Sequence, residues 1–406
     1  MKRASSFFLG FLRIFLLLPL SAQAQTTKKE NDSLHTLLSL QRDTRKLCRF
    51  EGRGHGTAGS QKAASYIAAR LREMRYKPHL LTYSVRVHLI SDIRLSIWKE
   101  GGKWTRWVEG KTYIPAPDCP SVVGEWEVDT LPQTGKAWWV PSTIELTKAL
   151  KTAIQNGVTC LLIPREKLTA GAGTEAGPLP ILYVKVPAER PDKIRLRVSA
   201  QTRWTSATNV MAVRAGKSSD SAWVVGAHYD HLGKIGKAVF WGANDNASGV
   251  AFLLSLAERV QNRTEPPPYD IWWVAFGAEE LGLLGSRAWV ETPPYPLERL
   301  KGMLNFDLVG FGEKGVAVVG ASDQVEFWKE IDWVRIRQGW NPPLLLRPNA
   351  PNSDHFPFRE KGVRALFFYL QGGPGYYHDI YDRPETLSWA GAYPLLQWIE
   401  GVLFKP

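Results

Sequence analysis

From Ser206 to the C-terminus, apolar and polar residues alternate between two periods. Short, mostly apolar runs at Ala222–Ala227, Asp270–Phe276, Met303–Leu308 and Arg364–Leu370 have the length and the β-branched and aromatic content of buried strands. Longer stretches with apolar residues three and four apart predict helices over Ser248–Val260, Leu281–Val290, Gln324–Gln338 and Ala390–Phe404. Strand and helix in alternation predict an α/β sheet covered on both faces. Near the N-terminus, Leu34, Leu37, Leu38 and Leu47 among charged residues suit an amphipathic helix. The Gly-rich loop Arg53–Gly59 follows, then a helix with Ala64, Ile67, Ala68, Leu71 and Met74 on one face, ending before Pro78.

Between Val85 and Thr205 the pattern changes. Strand-like runs at Arg94–Trp98, Ala137–Val140, Cys160–Ile163 and Ile181–Val186 are punctuated by Pro and Gly, with one helix expected over Thr143–Asn156. This predicts a β-rich insertion, residues 85–205, within a unit made of residues 25–84 and 206–406. Residues 1–24 read as an export signal: Lys2 and Arg3, an apolar stretch from Phe7 to Leu20, and Ala22-Gln23-Ala24 as the cleavage pattern. Cleavage after Ala24 implies a secreted or periplasmic protein with no stable membrane insertion afterwards.

Composition adds little that is special. With 44% hydrophobic and 22% charged residues the chain is globular rather than disordered, and 406 residues exceed one simple core. The charge of +12 falls to +9 once Lys2, Arg3 and Arg13 leave with the signal. The remaining basic residues are scattered, without the aromatic interleaving that grips nucleic acid, so no nucleic-acid partner is expected. Cys48, Cys119 and Cys160 form no C-x-x-C pair, which leaves either one disulfide and a free thiol or three buried thiols.

Candidate chemistry gathers where the C-terminal strands end. His228 closes the first, and Asp230, two residues on, could accept from the far imidazole nitrogen and fix its tautomer. Asp245 stands in Gly242-Ala-Asn-Asp-Asn-Ala-Ser-Gly249 at a helix start, where a plain N-cap is the competing reading. Glu279 and Glu280 follow the second strand. Asp307 lies in an apolar run, where its charge requires a metal or a salt bridge. His378 follows the Gly-rich stretch Gly372–Gly375. Two His with three carboxylates suit a pair of zinc ions sharing a bridging Asp.

In the order GRGHGTAGSQKAASYIA, GAHYDHLG, GANDNASGVA, FGAEELGLLGS, MLNFDLVG, SDHFPF and YYHD, these runs resemble metallopeptidase family 28, the co-catalytic zinc exopeptidases. The resemblance spans roughly Leu34–Thr82 and Thr205 to the end. It implies a mostly parallel mixed sheet flanked by helices on both faces and an insertion like a protease-associated domain. It also implies two zinc ions, with His228 and Asp307 on one, Glu280 and His378 on the other, and Asp245 as the bridge. Glu279 would be the general base and Asp230 the residue orienting His228. Asn244 stands where many relatives have a second Asp. Tyr377 would help polarise the substrate carbonyl, while Asp354 and His355 would shape the pocket. The implied activity is release of N-terminal amino acids from a peptide or protein substrate. Glutaminyl cyclisation, a carboxypeptidase of the same family and a non-catalytic peptide-binding relative are the alternatives. Oligomeric state is not legible.

Overall fold

The structure, a computed structural model, describes the backbone from Leu20 and the side chains from Glu30 onward; of the export signal expected over 1–24, residues 1–19 lie outside the described residues and Leu20–Ala24 begin the first helix. In chain order, helices α1 (Leu20–Cys48) and α2 (Ala58–Glu73) precede a long strand β1 (His79–Trp98). The segment expected to be an insertion follows as β2 (Thr105–Arg106), β3 (Tyr113–Pro115), β4 (Val122–Asp129), β5 (Ala137–Trp139), α3 (Leu146–Gln155), β6 (Cys160–Arg165) and β7 (Ile181–Lys185). Strand β8 (Lys193–Arg214) returns beside β1. The C-terminal part comprises β9 (Ser218–His228), β10 (Gly233–Ile235), β11 (Ala238–Phe240), α4 (Gly249–Gln261), β12 (Tyr269–Phe276), α5 (Leu284–Glu291) and β13 (Leu300–Phe306). It ends with β14 (Gly315–Val319), α6 (Val325–Arg337), β15 (Leu344–Arg347), α7 (His355–Glu360), β16 (Ala365–Gln371) and α8 (Ala392–Leu403).

Strand order β15-β14-β16-β13-β9-β12-β8 forms the central sheet. Its middle strands are parallel, β12 with β9, β9 with β13 and β13 with β16, whereas β8 and β14 pair antiparallel with β12 and β16. Successive side chains on a strand point to opposite faces, and the core divides accordingly. Trp223, Val225 and Ala227 of β9, Ile271, Trp273 and Ala275 of β12, and Leu304 and Phe306 of β13 pack against α1, α2, α4, α6 and α8. Val224, Val274, Phe276 and Met303 face α5 and α7 through Trp289, Val290 and Phe358. The result is a mixed, largely parallel sheet flanked by helices on both faces.

Strands β1 and β8 pair antiparallel from His79 opposite Met211 to Trp98 opposite Lys193, with one bulge between Ile90 and Asp92. The short strand expected at Arg94–Trp98 is the far end of this ribbon, which runs unbroken past Val85 and Thr205. Solvent-facing polar residues such as Arg86 and Arg94 alternate with buried Val87, Ile93 and Leu95 and mask its length in the sequence. Residues between β1 and β8 enter two apolar layers, one around Ile93, Leu162, Leu182 and Leu196 that also takes in Leu232, Phe240 and Ile380, the other between α3 and Trp138, Leu161 and Ile181. In α1, Leu40, Leu47 and Cys48 are buried, but Leu34 and Leu38 are exposed, so the expected apolar face is turned by part of a helical step. Cys48, Cys119 and Cys160 are all free, buried thiols. Among the described residues no helix is long and apolar enough to cross a membrane.

Candidate metal centre

Because β9, β12, β13 and β16 run parallel, their carboxyl ends share one edge of the sheet, where α/β folds open their ligand crevices. His228 is the last residue of β9, Asp307 follows β13 directly, Glu279 and Glu280 follow β12, and His378 lies in the loop after β16. Asp245 comes from the turn Ala243–Ser248 that opens α4. Gly242 enters this turn at φ +58°, and a Cβ there would lie 2.2 Å from the Asp245 carbonyl oxygen. The Asp382 carboxylate accepts from the backbone N–H of Asn244 and Asp245 at 2.8 and 3.0 Å, and Asn246 Nδ2 donates to the Phe306 carbonyl at 3.0 Å. Thus the turn carrying Asp245 is tied to the strand end carrying Asp307. Asn244 fits here as Asp would, since its Oδ1 accepts from Gly310 N–H at 2.8 Å.

The side chains converge in two groups that share Asp245. His228, Asp245 and Asp307 form one, and His231, Asp245, Glu280 and His378 the other, the potential donor atoms within each lying no more than 4.8 Å apart. His228 Nε2 is 3.5 Å from Asp245 Oδ1 and 3.3 Å from Asp307 Oδ2. His378 Nε2 is 3.2 Å from Asp245 Oδ2 and 3.2 Å from Glu280 Oε2. Both imidazoles face main-chain carbonyls with Nδ1: His228 with Asp230 O at 3.2 Å, His378 with Ala170 O at 2.9 Å. A carbonyl only accepts, so Nδ1 carries the hydrogen and a neutral ring keeps its Nε2 lone pair toward the carboxylates. Glu279 belongs to neither group, yet its Oε2 is 4.0 Å from His228 Nε2.

The electrostatics of this cluster call for positive charge. Burial pushes the Glu279 carboxyl well above its usual range, the His228 charge opposing and Glu280 reinforcing that shift. Burial likewise raises Asp307. For His228, burial lowers the pKa, but Glu279 and Asp307 outweigh it and drive the imidazole well above its ordinary value. His378 is pushed up to about 11, burial being overcome by Glu280 and Asp245. Glu280 is held well below the usual carboxylate range because His378 and His231 outweigh its burial. Protons on imidazoles here occupy the place of cations among packed carboxylates. Asp307 Oδ1, a buried carboxylate oxygen of the first group, has no hydrogen-bond partner, and neither has the buried Nε2 of His231. Imidazole nitrogen with carboxylate oxygen is also the donor set that suits zinc. The residues present therefore fit a pair of divalent ions.

Two details add to the sequence expectation. The Asp230 carboxylate lies 3.8 Å from His228 Nδ1, and its closer partners are the backbone N–H groups of Glu279 and Glu280, at 3.1 and 3.2 Å. It thereby aims the bend that carries both glutamates. His231, absent from the sequence candidates, has its Nδ1 2.7 Å from Glu280 Oε1 and 3.8 Å from Asp245 Oδ1. Its only signal was a position three residues after His228 in the same motif. Tyr377 stacks on His378, ring centroids 3.9 Å apart, and is half exposed. Asp354 and His355 are fully buried outside both groups.

Residues 209–398 match the profile of Peptidase family M28. The chain is 32% identical over 209 residues to Aminopeptidase YwaD of Bacillus subtilis, covering 48% of this chain and 43% of that protein. It is 30% identical over 160 residues to Leupeptin-inactivating enzyme 1 of Streptomyces exfoliatus, 38% of this chain and 34% of the relative. The chain thus spans less than half the length of these curated relatives. Among solved structures, a zinc aminopeptidase from Bacillus subtilis superposes with a TM-score of 0.73 at 21% identity, over 92% of this chain and 94% of the other, and so shares the fold. All the residues of the two donor groups fall inside the segment that matches Peptidase family M28.

Proposed function

We propose that the chain is an exported zinc aminopeptidase, with residues 25–84 and 206–406 as the catalytic unit and 85–205 as an inserted protease-associated-like unit. The observation that carries this reading is the pair of donor groups hinged on Asp245, with the uncommitted carboxylate of Glu279 beside them. His228 and Asp307 would hold one zinc ion, Glu280 and His378 the other, and Asp245 would bridge, with His231 as a further donor on the second side. When bound, zinc lowers the pKa of water to about 7 and polarises a carbonyl oxygen. Glu279 takes the proton of the attacking water as the water oxygen bonds to the carbonyl carbon. It returns that proton to the amine nitrogen as the C–N bond breaks. Burial holds its proton affinity above that of an ordinary carboxylate, which suits a base that must also act as an acid.

The names of the relatives, an aminopeptidase, a leupeptin-inactivating enzyme and a zinc aminopeptidase, support a peptide substrate cut near its end. Donors for a second ion count against a glutaminyl cyclase that works with one. The test is a panel of aminoacyl anilides with free and acetylated amino termini, alongside peptides blocked at the N-terminus but free at the C-terminus. Turnover confined to free amino termini is the expected result. Cleavage of the N-blocked peptides from their C-terminus would instead make the chain a carboxypeptidase, and no turnover after zinc loading would sink the reading.

A further inference from the structure

His228 and His378 are held by different parts of the chain. The carbonyl facing His228 is two residues away, at the end of the same strand. The carbonyl facing His378 belongs to Ala170, 208 residues earlier, in the loop between β6 and β7 of the insertion. The contact is reciprocal, since Ala170 N–H donates to the His378 carbonyl at 3.1 Å. Beside it, Lys167 Nζ donates to the carbonyls of Gly375 and Tyr377 at 2.6 and 2.9 Å. Four hydrogen bonds therefore join one loop of the insertion to the loop that carries a candidate ligand. His378 sits at φ +55°, a left-handed conformation that a non-glycine residue keeps only where its surroundings over-determine it. The insertion loop is itself anchored, as His88 N–H on the ribbon donates to the Gly173 carbonyl at 2.7 Å.

We propose that this loop of the insertion is a positioning element of the metal centre. Through the main chain of Ala170 and the side chain of Lys167 it holds His378 in the tautomer and orientation from which Nε2 faces Asp245 and Glu280. Affinity for the ion on that side is then set from the insertion, while the ion on the His228 side depends on the catalytic unit alone. The inference rests on the two-ion reading above.

The test uses the full-length, zinc-loaded protein and measures zinc retained against graded chelator, together with the visible spectrum of the cobalt-substituted form. Ala170→Pro removes the N–H that donates to His378, and Lys167→Met removes the paired donors. Loss of such an outer partner typically weakens metal binding by about 10–100-fold. One ion should leave Ala170→Pro at correspondingly lower chelator, with a changed cobalt spectrum, while the other ion is released as in the wild type. Lys167→Met should shift the same ion less, and Lys167→Arg should restore it. Lys151→Met, on the exposed side of α3, should change nothing. The inference is overturned if folded Ala170→Pro releases both ions as the wild type does, or if both shift by one factor. Should Ala170→Pro fail to fold, Lys167→Met and Lys167→Arg decide: release unchanged in both overturns it. A wild type that binds no zinc would instead overturn the two-ion reading beneath it.

Discussion

Adjacent along the chain, Glu279 and Glu280 end in opposite electrostatic surroundings. Both backbone N–H groups are held by Asp230, but the Glu280 side chain lies between His231 and His378, whereas Glu279 has His228 at 4.0 Å and the carboxylates of Glu280, Asp354 and Asp307 around it. The account therefore predicts that Glu279→Gln keeps its metal and loses about 10²–10⁴ in turnover, as expected for a general acid–base residue. Metal analysis beside aminoacyl hydrolysis checks this, and turnover within a few-fold of wild type would contradict it. His355 permits a prediction about pH. It is buried with neither ring nitrogen partnered, and burial pushes its pKa down to about 3. Between pH 6.5 and 3 the unfolded chain therefore binds a proton that the folded chain refuses. Stability from this residue is full above 6.5 and drains away as pH falls toward 3. His355→Leu should lose less stability than wild type between pH 7 and pH 5 in urea titrations; parallel losses would reject the assignment. At this scale the sequence was informative because the candidates stood in five short strings, most of them tied to strand ends. His231 was not legible, since a lone loop histidine carries no sign of the glutamate it will meet. The two-residue spacing pointed to Asp230 beside His228, 3.8 Å from its Nδ1, but gave no sign that the same carboxylate also holds the backbone N–H groups of Glu279 and Glu280.

Among the elements, the Gly-rich loop before α2 ties the site together through one side chain. Arg53 is fully buried and donates to three carbonyls, Tyr229 at 2.7 Å, Trp241 at 2.9 Å and Gly242 at 2.7 Å. These flank the segments carrying His231 and Asp245. Arg53→Met would leave three buried acceptors unpaired at about 1–3 kcal/mol each, so a destabilisation of about 3 kcal/mol or more is expected in urea unfolding. A loss under about 1 kcal/mol would show that the carbonyls find other donors. The four central strands could be read from the sequence because burial on both faces makes them continuously apolar. Strands β14 and β15 escaped notice: Gly315–Val319 is short, and Leu344–Arg347 is an edge strand whose Leu345 and Leu346 are exposed. The β1–β8 ribbon was hidden by its alternation, which breaks a long strand into fragments too weak to join.

At the scale of the molecule, the sheet gathers distant residues at one edge and surrounds them with more buried negative charge than their imidazoles offset comfortably. Stripping metal should therefore lower thermal stability. A ligand present at about 100 times its dissociation constant contributes about 2.7 kcal/mol, so a clear fall in Tm on chelation, reversed by zinc, is expected. An unchanged Tm would mean that the folded state does not bind the ion. How the insertion contacts the His378 loop could not be read from the sequence, since it joins residues more than two hundred positions apart through main-chain atoms. The most direct measurement is zinc content per chain in the purified, zinc-equilibrated protein, followed across single alanine replacements of His228, Asp307, Glu280, His378 and Asp245. The account predicts two ions in the wild type, one after loss of a ligand on either side, and the weakest retention when the shared Asp245 is removed. A wild type that holds a single ion, or an Asp245 variant that still holds two, would contradict it.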